Sequence, residues 1–230
     1  MLGRDVSAVA TLLADPSRAA MLDALLAGDD LRAIDLARHV GVSAPTASQH
    51  LAKLASGGLV VSSTRGRERW FRLASAEVAD AFESLMLLAP EPTPHGLRDV
   101  NHRMALRRAR TCFDHLAGRL GVEITDNLRA EGSLAGGELR LTTGGEARMA
   151  DLDIDVEALR HLTRRPLTRA CIDGTERRPH VAGAIGAAVA QQLLSRHWLQ
   201  RQPGTRALRI TESGRHELTR LSLIGADACR

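Results

Sequence analysis

Apolar residues recur every three or four positions through much of the first third of the chain, which is the spacing of one helix face. One such segment begins at Asp15-Pro16, where a capping carboxylate precedes a proline, and ends at Gly28. The next segment covers residues 31–40 and is followed by Gly41. These patterns predict two short helices separated by a turn.

A third helix is predicted from Ser43, a typical N-cap residue, to the terminating pair Gly57-Gly58. Its apolar positions form one narrow stripe, Ala47, Leu51 and Leu54, which leaves a polar face on the other side. The period then changes to two, and residues 59–74 predict two strands around a turn at Arg65-Gly66. A helix over residues 75–89 completes this part of the chain.

The stretch from Pro90 to Gly96 holds three prolines in seven residues and predicts a boundary. We therefore predict a domain at residues 1–90, a linker at 91–96 and a second domain at 97–230. The second domain is expected to open with one long helix over 97–120, which places Cys112 and His115 on one helical face.

A faint repeat follows in the second domain. Residues 124–152 and 189–221 share the order helix, turn, strand, helix, with a Thr-x-x-Gly motif before the last helix. The fold class predicted for the whole chain is mainly α with short β-hairpins (α+β). Its second domain is mostly helical, and degenerate winged-helix repeats are one interpretation of the repeated pattern.

Composition excludes several classes of protein. The 230 residues are 44% hydrophobic and 25% charged, an ordinary globular balance, and no apolar run reaches the length of a membrane span. The first residues lack the apolar core of a signal peptide, so we expect a cytoplasmic protein with no membrane partner. Its three cysteines are then expected to be reduced, and Cys229 is interpreted as a thiol of the C-terminal tail.

Positive charge is concentrated in residues 43–72, where five cations face one acid. This basic stretch coincides with the third helix and the hairpin, and two helices joined by a tight glycine turn form a helix-turn-helix. Hydroxyl, amide and ammonium groups on the second helix of such a pair reach base edges and phosphates in the major groove. The hairpin arginines are suited to a neighbouring phosphate backbone, and Arg67 and Arg69 are expected to share a strand face. The predicted DNA-binding residues are Ser43, Thr46, Ser48, Gln49, His50, Lys53, Arg65, Arg67 and Arg69.

Residues 12–74 resemble the ArsR/SmtB-type winged-helix regulators. The matching segments are "LADPSRAAMLDALL", "DLARHVGVSAPTASQHLAKLASGGLV" and "TRGRERWFRLA". The resemblance implies a homodimeric transcriptional repressor that binds a near-palindromic double-stranded DNA operator and leaves it when an effector binds. It implies dimerisation through the first helix and the helix after the wing, where the wing is the hairpin predicted over residues 59–74. The domain at 1–90 is then the DNA-binding and dimerisation domain, and no cofactor is expected to be needed for DNA binding.

The family's usual metal-sensing residues are absent, because residues 31–40 have no cysteine and residues 75–89 have no histidine. The effector is therefore expected to be sensed in residues 97–230, and it is a small molecule, a metal or an oxidant. Cys112 and Cys171 are expected to lie close together. Thiolate and imidazole groups suit zinc or a softer metal, a thiol pair suits redox sensing, and a structural role is the third alternative. The candidate effector, redox or metal residues are Cys112, His115, Cys171, Asp173 and His180.

An enzyme fused to a DNA-binding domain is the rival class. The sequence contains no phosphate-binding loop and no catalytic triad motif, and a Cys–His pair alone is weak evidence for nucleophilic catalysis. We therefore predict a regulator that is not an enzyme.

Overall fold

The computed structural model describes residues 5–90, 93 and 96–225. It is about 53% helical with short antiparallel hairpins, which confirms the predicted fold class. Contacts divide the chain into two compact units between Phe82 and Glu83, within a helix. Most of the predicted linker and Cys229 lie outside the described residues. None of the helices described is long and apolar enough to cross a bilayer.

The first unit contains a helix-turn-helix followed by a hairpin, and a short third strand completes its sheet in the order β1-β3-β2. Its elements, together with the helix that leaves it, are α1 (Val6–Leu13), α2 (Pro16–Leu25), β1 (Leu31–Arg32), α3 (Ala33–Val40), α4 (Ala44–Ser56), β2 (Val60–Arg65), β3 (Glu68–Leu73) and α5 (Ala76–Leu88).

Local signals set three of these helix ends as predicted, although Leu31 and Arg32, expected in the second helix, form strand β1 instead. Asp15 caps α2 by accepting a hydrogen bond from the backbone N–H of Arg18 at 3.0 Å, with Pro16 in the first turn. Gly41 ends α3 in the left-handed conformation at φ +76°. Ser43 caps α4 through the backbone N–H of Thr46. Each of these caps involves residues within four positions of one another, so the prediction needed no tertiary information.

The hairpin pairs Arg65 with Glu68 across the turn, so Gly66 and Arg67 are the two turn residues. Gly66 has φ +63°, which glycine adopts without steric cost. The expectation that Arg67 and Arg69 share a strand face is wrong, because Arg67 precedes the strand and lies in the turn.

The second unit consists of hairpins alternating with helices, and each of its four sheets has two strands among the residues described. Its elements are α6 (Leu97–Arg108), β4 (Arg110–Cys112), β5 (His115–Ala117), α7 (Gly118–Ala130), β6 (Leu134–Ala135), β7 (Arg140–Leu141), α8 (Thr143–Ala150), α9 (Val156–Leu162), β8 (Arg169–Ile172), β9 (Pro179–Ala182), α10 (Gly183–Ser195), β10 (Leu199–Arg201), β11 (Leu208–Ile210) and α11 (Glu212–Arg220).

The expected long helix over residues 97–120 is wrong. Helix α6 ends at Arg108, and residues 110–117 form the hairpin β4–β5 before α7 begins. All six strand residues of this hairpin are buried, and the backbone of Thr111 also donates to the carbonyl of Arg206 at 3.0 Å. Tertiary burial and strand pairing therefore override a helical propensity that is only a weak local preference.

The order hairpin, helix, hairpin, helix occurs twice, in β4 to α8 and in β8 to α11. The Thr-x-x-Gly motif plays the same part in each copy. Thr142 and Thr211 cap α8 and α11, each accepting a hydrogen bond of 2.9 Å from the glycine three residues on. A Cβ on Gly145 or Gly214 would lie 2.2 or 2.1 Å from a backbone oxygen, so both positions require glycine. The repeat predicted from the sequence is therefore also present in the structure. In each copy, one helix separates the two hairpins.

Candidate nucleic-acid interface and a buried Cys/His cluster

Helix α4 is amphipathic as predicted. Ala47, Leu51 and Leu54 are fully buried in the first unit. Gln49 and Lys53 are exposed on the opposite side and Ser48 is exposed at the edge of the stripe, and the three side chains have no hydrogen-bond or ion-pair partner among the residues described. These three groups are therefore free to contact a ligand without breaking an internal contact.

Two predicted residues at the start of α4 are already engaged. The hydroxyl groups of Ser43 and Thr46 lie 2.8 Å apart, and Ser43 also accepts the capping hydrogen bond. Their first role is to stabilise the N-terminus of the helix. Any contact with DNA would have to use the hydrogen-bonding capacity that the cap leaves over.

His50 does not lie on the outward face. Its side chain is only 14% exposed, and its Nδ1 lies 3.8 Å from a carboxylate oxygen of Asp15. Residue 50 is three positions after Ala47 and four before Leu54, so the helical period places it beside the buried stripe. The prediction that His50 faces outward is wrong, and the helical spacing could have shown this from the sequence.

The three hairpin arginines differ in their surroundings. Arg65 forms an ion pair with Asp30 and lies 4.9 Å from the centre of the Trp70 ring. Arg69 donates to the Ser62 hydroxyl at 3.2 Å. Arg67, in the turn, is exposed and has no ion pair within the described part of the chain. It is the wing cation most available to a phosphate group.

The second unit brings together four side chains that are far apart in the sequence. Cys112 and His115 face each other across the hairpin β4–β5, and Cys171 and His180 do so across β8–β9. All four are buried, and their ligand atoms lie within 4.8 Å of one another. The two sulfurs are 3.9 Å apart, which confirms the predicted proximity of the cysteines, and the two histidine Nε2 atoms are 3.1 Å apart.

A carboxylate lies behind each histidine. Asp114 Oδ1 is 3.3 Å from His115 Nδ1, and Asp173 Oδ2 is 3.7 Å from His180 Nδ1. Asp114 forms an ion pair with Arg165. Each of the two repeats therefore supplies one cysteine, one histidine and one aspartate to the same place. All of these residues except Asp114 are among the candidate effector, redox or metal residues predicted from the sequence.

Asp173 is held by several donors at once. It accepts hydrogen bonds from Arg110 at 3.0 Å and from the backbone N–H of Gly118 at 2.6 Å, and Thr175 donates both its backbone and hydroxyl groups. Burial raises the pKa of this carboxyl, but the Arg110 charge and the backbone N–H groups outweigh burial and hold the pKa well below its usual range. Asp173 is thus a buried anion that organises the neighbouring hairpin.

The two cysteines ionise as a pair. The hydrogen bond from Cys112 lowers the pKa of Cys171 strongly, against the effect of burial, and the same contact and burial raise the pKa of Cys112. Burial lowers the pKa of His115, but hydrogen bonds with Asp114 and Cys171 outweigh it and the pKa is raised. The cluster therefore favours one thiolate among nitrogen donors.

The first unit is similar in sequence to known helix-turn-helix proteins. A family model described as a helix-turn-helix domain matches residues 13–63. An arsenical resistance operon repressor from Staphylococcus aureus is 33% identical over 85 residues, covering 37% of this chain and 81% of that protein. The chain is thus a DNA-binding regulator of the helix-turn-helix class.

Another relative extends over both units. The uncharacterised HTH-type transcriptional regulator YdfF from Bacillus subtilis (strain 168) is 37% identical over 213 residues, which is 92% of this chain and 94% of that protein. The chain belongs to the ArsR-type winged helix-turn-helix transcriptional regulators. A solution structure of a homodimeric winged helix-turn-helix domain from Mycobacterium bovis is 31% identical, with a TM-score of 0.35, and covers 42% of this chain and 96% of that domain.

Proposed function

We propose that the protein is a homodimeric repressor that binds a near-palindromic operator and is released by an effector sensed in residues 97–230. Residues 1–90 supply DNA binding and dimerisation, and residues 91–96 are the linker. The protein acts in the cytoplasm on a double-stranded DNA operator, without a cofactor for DNA binding and without catalysing a reaction. The observation that carries the proposal is the exposed, unpartnered polar face of α4.

The chemistry of that face suits base reading. The Gln49 amide presents a donor and an acceptor, which match the N7 and N6 groups of adenine in the major groove. Lys53 carries a point charge with little directional preference, which suits a phosphate. Ser48 accepts or donates through one hydroxyl. In this proposal Gln49 reads sequence, while Lys53 and Arg67 contribute affinity for any duplex.

The exposed apolar surface of α1 supports the homodimer. This eight-residue helix has no buried residue, and Val6 and Val9 are 74% and 39% exposed. Apolar side chains exposed together on one short helix are typical of a surface that a second chain covers. A twofold dimer would present two α4 helices about 34 Å apart, one duplex turn, which is the spacing of two operator half-sites.

The test begins with an operator selected from a random duplex library by the full-length protein. Gln49→Ala is expected to weaken binding to that operator by about 10-fold or more, because a bidentate base contact is worth about 1–3 kcal/mol. Binding to a random duplex should change far less. Fluorescence anisotropy at a fixed salt concentration measures both affinities.

Gln191→Ala is the matched control, since Gln191 is an exposed helical glutamine of α10. It should leave both affinities unchanged. Equal losses on operator and random DNA would assign Gln49 to the phosphate backbone. Selected sequences without two related half-sites would contradict the dimeric operator.

A further inference from the structure

We propose that Cys112, His115, Cys171 and His180 bind one Zn²⁺ ion as a closed structural site that fastens the two repeats of the second unit together. The donor set is two sulfurs and two imidazole nitrogens, a combination typical of tetrahedral zinc and unsuited to magnesium or calcium. The inference does not depend on the proposed function, because it concerns residues of the second unit alone.

The sulfur–sulfur and nitrogen–nitrogen distances fit a tetrahedral ion, and all four donor atoms lie within 4.8 Å of one another. With Zn–S bonds of about 2.3 Å and Zn–N bonds of about 2.05 Å, tetrahedral angles place the sulfurs about 3.8 Å apart and the nitrogens about 3.3 Å apart. The structure has 3.9 Å between the sulfurs and 3.1 Å between the Nε2 atoms. Both pairs are therefore already spaced as ligands of one ion.

The surroundings of the histidines lead to the same conclusion. Asp114 Oδ1 lies 3.3 Å from His115 Nδ1 and favours a proton on that nitrogen, which leaves the Nε2 atom to face the cluster as a ligand. His180 Nδ1 has no hydrogen-bond partner among the described residues, and Asp173 Oδ2 lies 3.7 Å from it. The two Nε2 atoms, 3.1 Å apart in the interior, are placed to coordinate one cation. Carboxylates behind metal-bound histidines are the usual arrangement in zinc sites.

The two repeats contribute equivalent ligands, one cysteine and one histidine each. Helix α7 packs against β9 of the second copy, and α10 packs against β5 of the first. A Cβ on Gly186 of α10 would lie 3.2 Å from the Cβ of His115 and 2.4 Å from the carbonyl oxygen of Val181, so glycine permits this close approach. The ligands of each copy meet at the junction between them. All four positions are filled by protein groups, which is the mark of a structural site.

Burial argues against a redox switch at these cysteines. Cys112 is 1% exposed and Cys171 is 8% exposed, whereas cysteines that react with oxidants are accessible to solvent. A disulfide between them remains an outcome that the experiment distinguishes.

The test measures the metal in the full-length protein, purified under reducing conditions and reconstituted with ZnCl₂ alone. We expect about one tightly bound zinc per chain by elemental mass spectrometry after exhaustive dialysis. Replacement by Co²⁺ should give the intense visible bands of tetrahedral cobalt and a sulfur-to-cobalt charge-transfer band in the near ultraviolet. Chelation should lower the melting temperature of the protein.

Variants locate the ion. Cys112→Ser and His180→Gln should reduce retained zinc to a small fraction of the wild-type value, while Cys229→Ser and His161→Gln should retain it, since His161 is exposed and pairs with Glu157. His115→Cys preserves a four-ligand set, so it should keep cobalt and strengthen the charge-transfer band. This variant keeps the proposal testable where the others fail to fold.

Three results would overturn the proposal. They are wild-type protein that retains no zinc after reconstitution, a weak cobalt spectrum typical of octahedral coordination, and equal zinc content in Cys112→Ser and Cys229→Ser. A Cys112–Cys171 disulfide found by peptide mapping of the reduced, zinc-treated protein would also exclude the site.

Discussion

The exposed face of α4 carries its polar groups on the surface, whereas the Cys/His cluster holds its polar groups in the interior. The polar side chains of α4 that project into solvent come from one helix and are Ser48, Gln49 and Lys53. In contrast, Cys112 and Cys171 are buried next to each other although 59 positions separate them in the chain. A polar group on the surface remains hydrated and costs little to keep. A polar group in the interior must be hydrogen-bonded, paired or bound to a metal.

The two regions should therefore respond differently to substitution. Changes on α4 or in the turn of the wing are expected to alter binding while leaving stability nearly constant. Changes around the Cys/His cluster are expected to lower the stability of the folded protein. Three substitutions test this comparison, in order of decreasing expected effect.

The largest effect is expected for Asp173→Asn. This change removes the anion that pairs with Arg110, and both side chains are almost fully buried. A buried charge left without its partner costs about 3–5 kcal/mol of unfolding free energy. Urea denaturation followed by Trp198 fluorescence, in a Trp70→Phe background, measures the stability of the second unit.

Asp126→Asn is the control for that experiment. Asp126 pairs with Arg178 at 2.7 Å, but both side chains are partly exposed. Its loss should cost about 0–1 kcal/mol. Equal costs for the two substitutions would show that the buried pair is no more important than a surface pair, and the comparison between the regions would fail.

An intermediate effect is expected for Gly145→Ala. The added methyl group would lie 2.2 Å from the backbone oxygen of Ser133, so α8 and the backbone between α7 and β6 must move apart. We expect a loss of about 2–3 kcal/mol in unfolding free energy by the same denaturation assay, as is typical of an overpacked site.

The neighbouring residue supplies the control. A Cβ on Gly144 would lie 3.7 Å from the Thr142 hydroxyl oxygen, an ordinary contact, and alanine is the better helix former. Gly144→Ala should leave stability unchanged or raise it by up to about 1 kcal/mol. A Gly145→Ala protein as stable as Gly144→Ala would refute the close approach that both repeats share.

The smallest effect is expected for Arg67→Ala, and it concerns binding alone. Removing one phosphate contact should reduce the slope of log affinity against log salt by about one unit, for operator and random DNA alike. Stability should stay within about 0.5 kcal/mol of wild type, because Arg67 is exposed in the turn.

Arg67→Lys keeps the charge and should retain the slope. An unchanged slope in Arg67→Ala would remove this residue from the interface. A large loss of stability would show that Arg67, like the residues of the Cys/His cluster, is needed for the stability of the fold.

The sequence predicts the structure correctly where one element decides the outcome. The cap at Asp15, the stop at Gly41 and the buried stripe of α4 all follow from the helical period and from residues a few positions apart. The predictions for His50 and Arg67 are wrong, because His50 lies beside the buried stripe of α4 and the turn of the hairpin lies one residue later than expected.

The helix predicted over residues 110–117 is wrong for a different reason. A short segment with both faces buried has no clear period, and strand or helix is then decided by what packs around it. The backbone of Arg206, 95 residues after Thr111, supplies the pairing that selects a strand. Nothing within the segment itself carries that information.

The helix-turn-helix, the hairpin and the buried stripe of α4 can be predicted from the residues alone, because capping and periodicity act over single turns and single strands. The chemistry of Cys112, His115, Cys171 and His180 also makes them candidates without a structure. Their convergence in pairs across two hairpins depends on tertiary packing. Strand pairing and burial join distant parts of the chain, and their free energy outweighs the weak local preference for a helix.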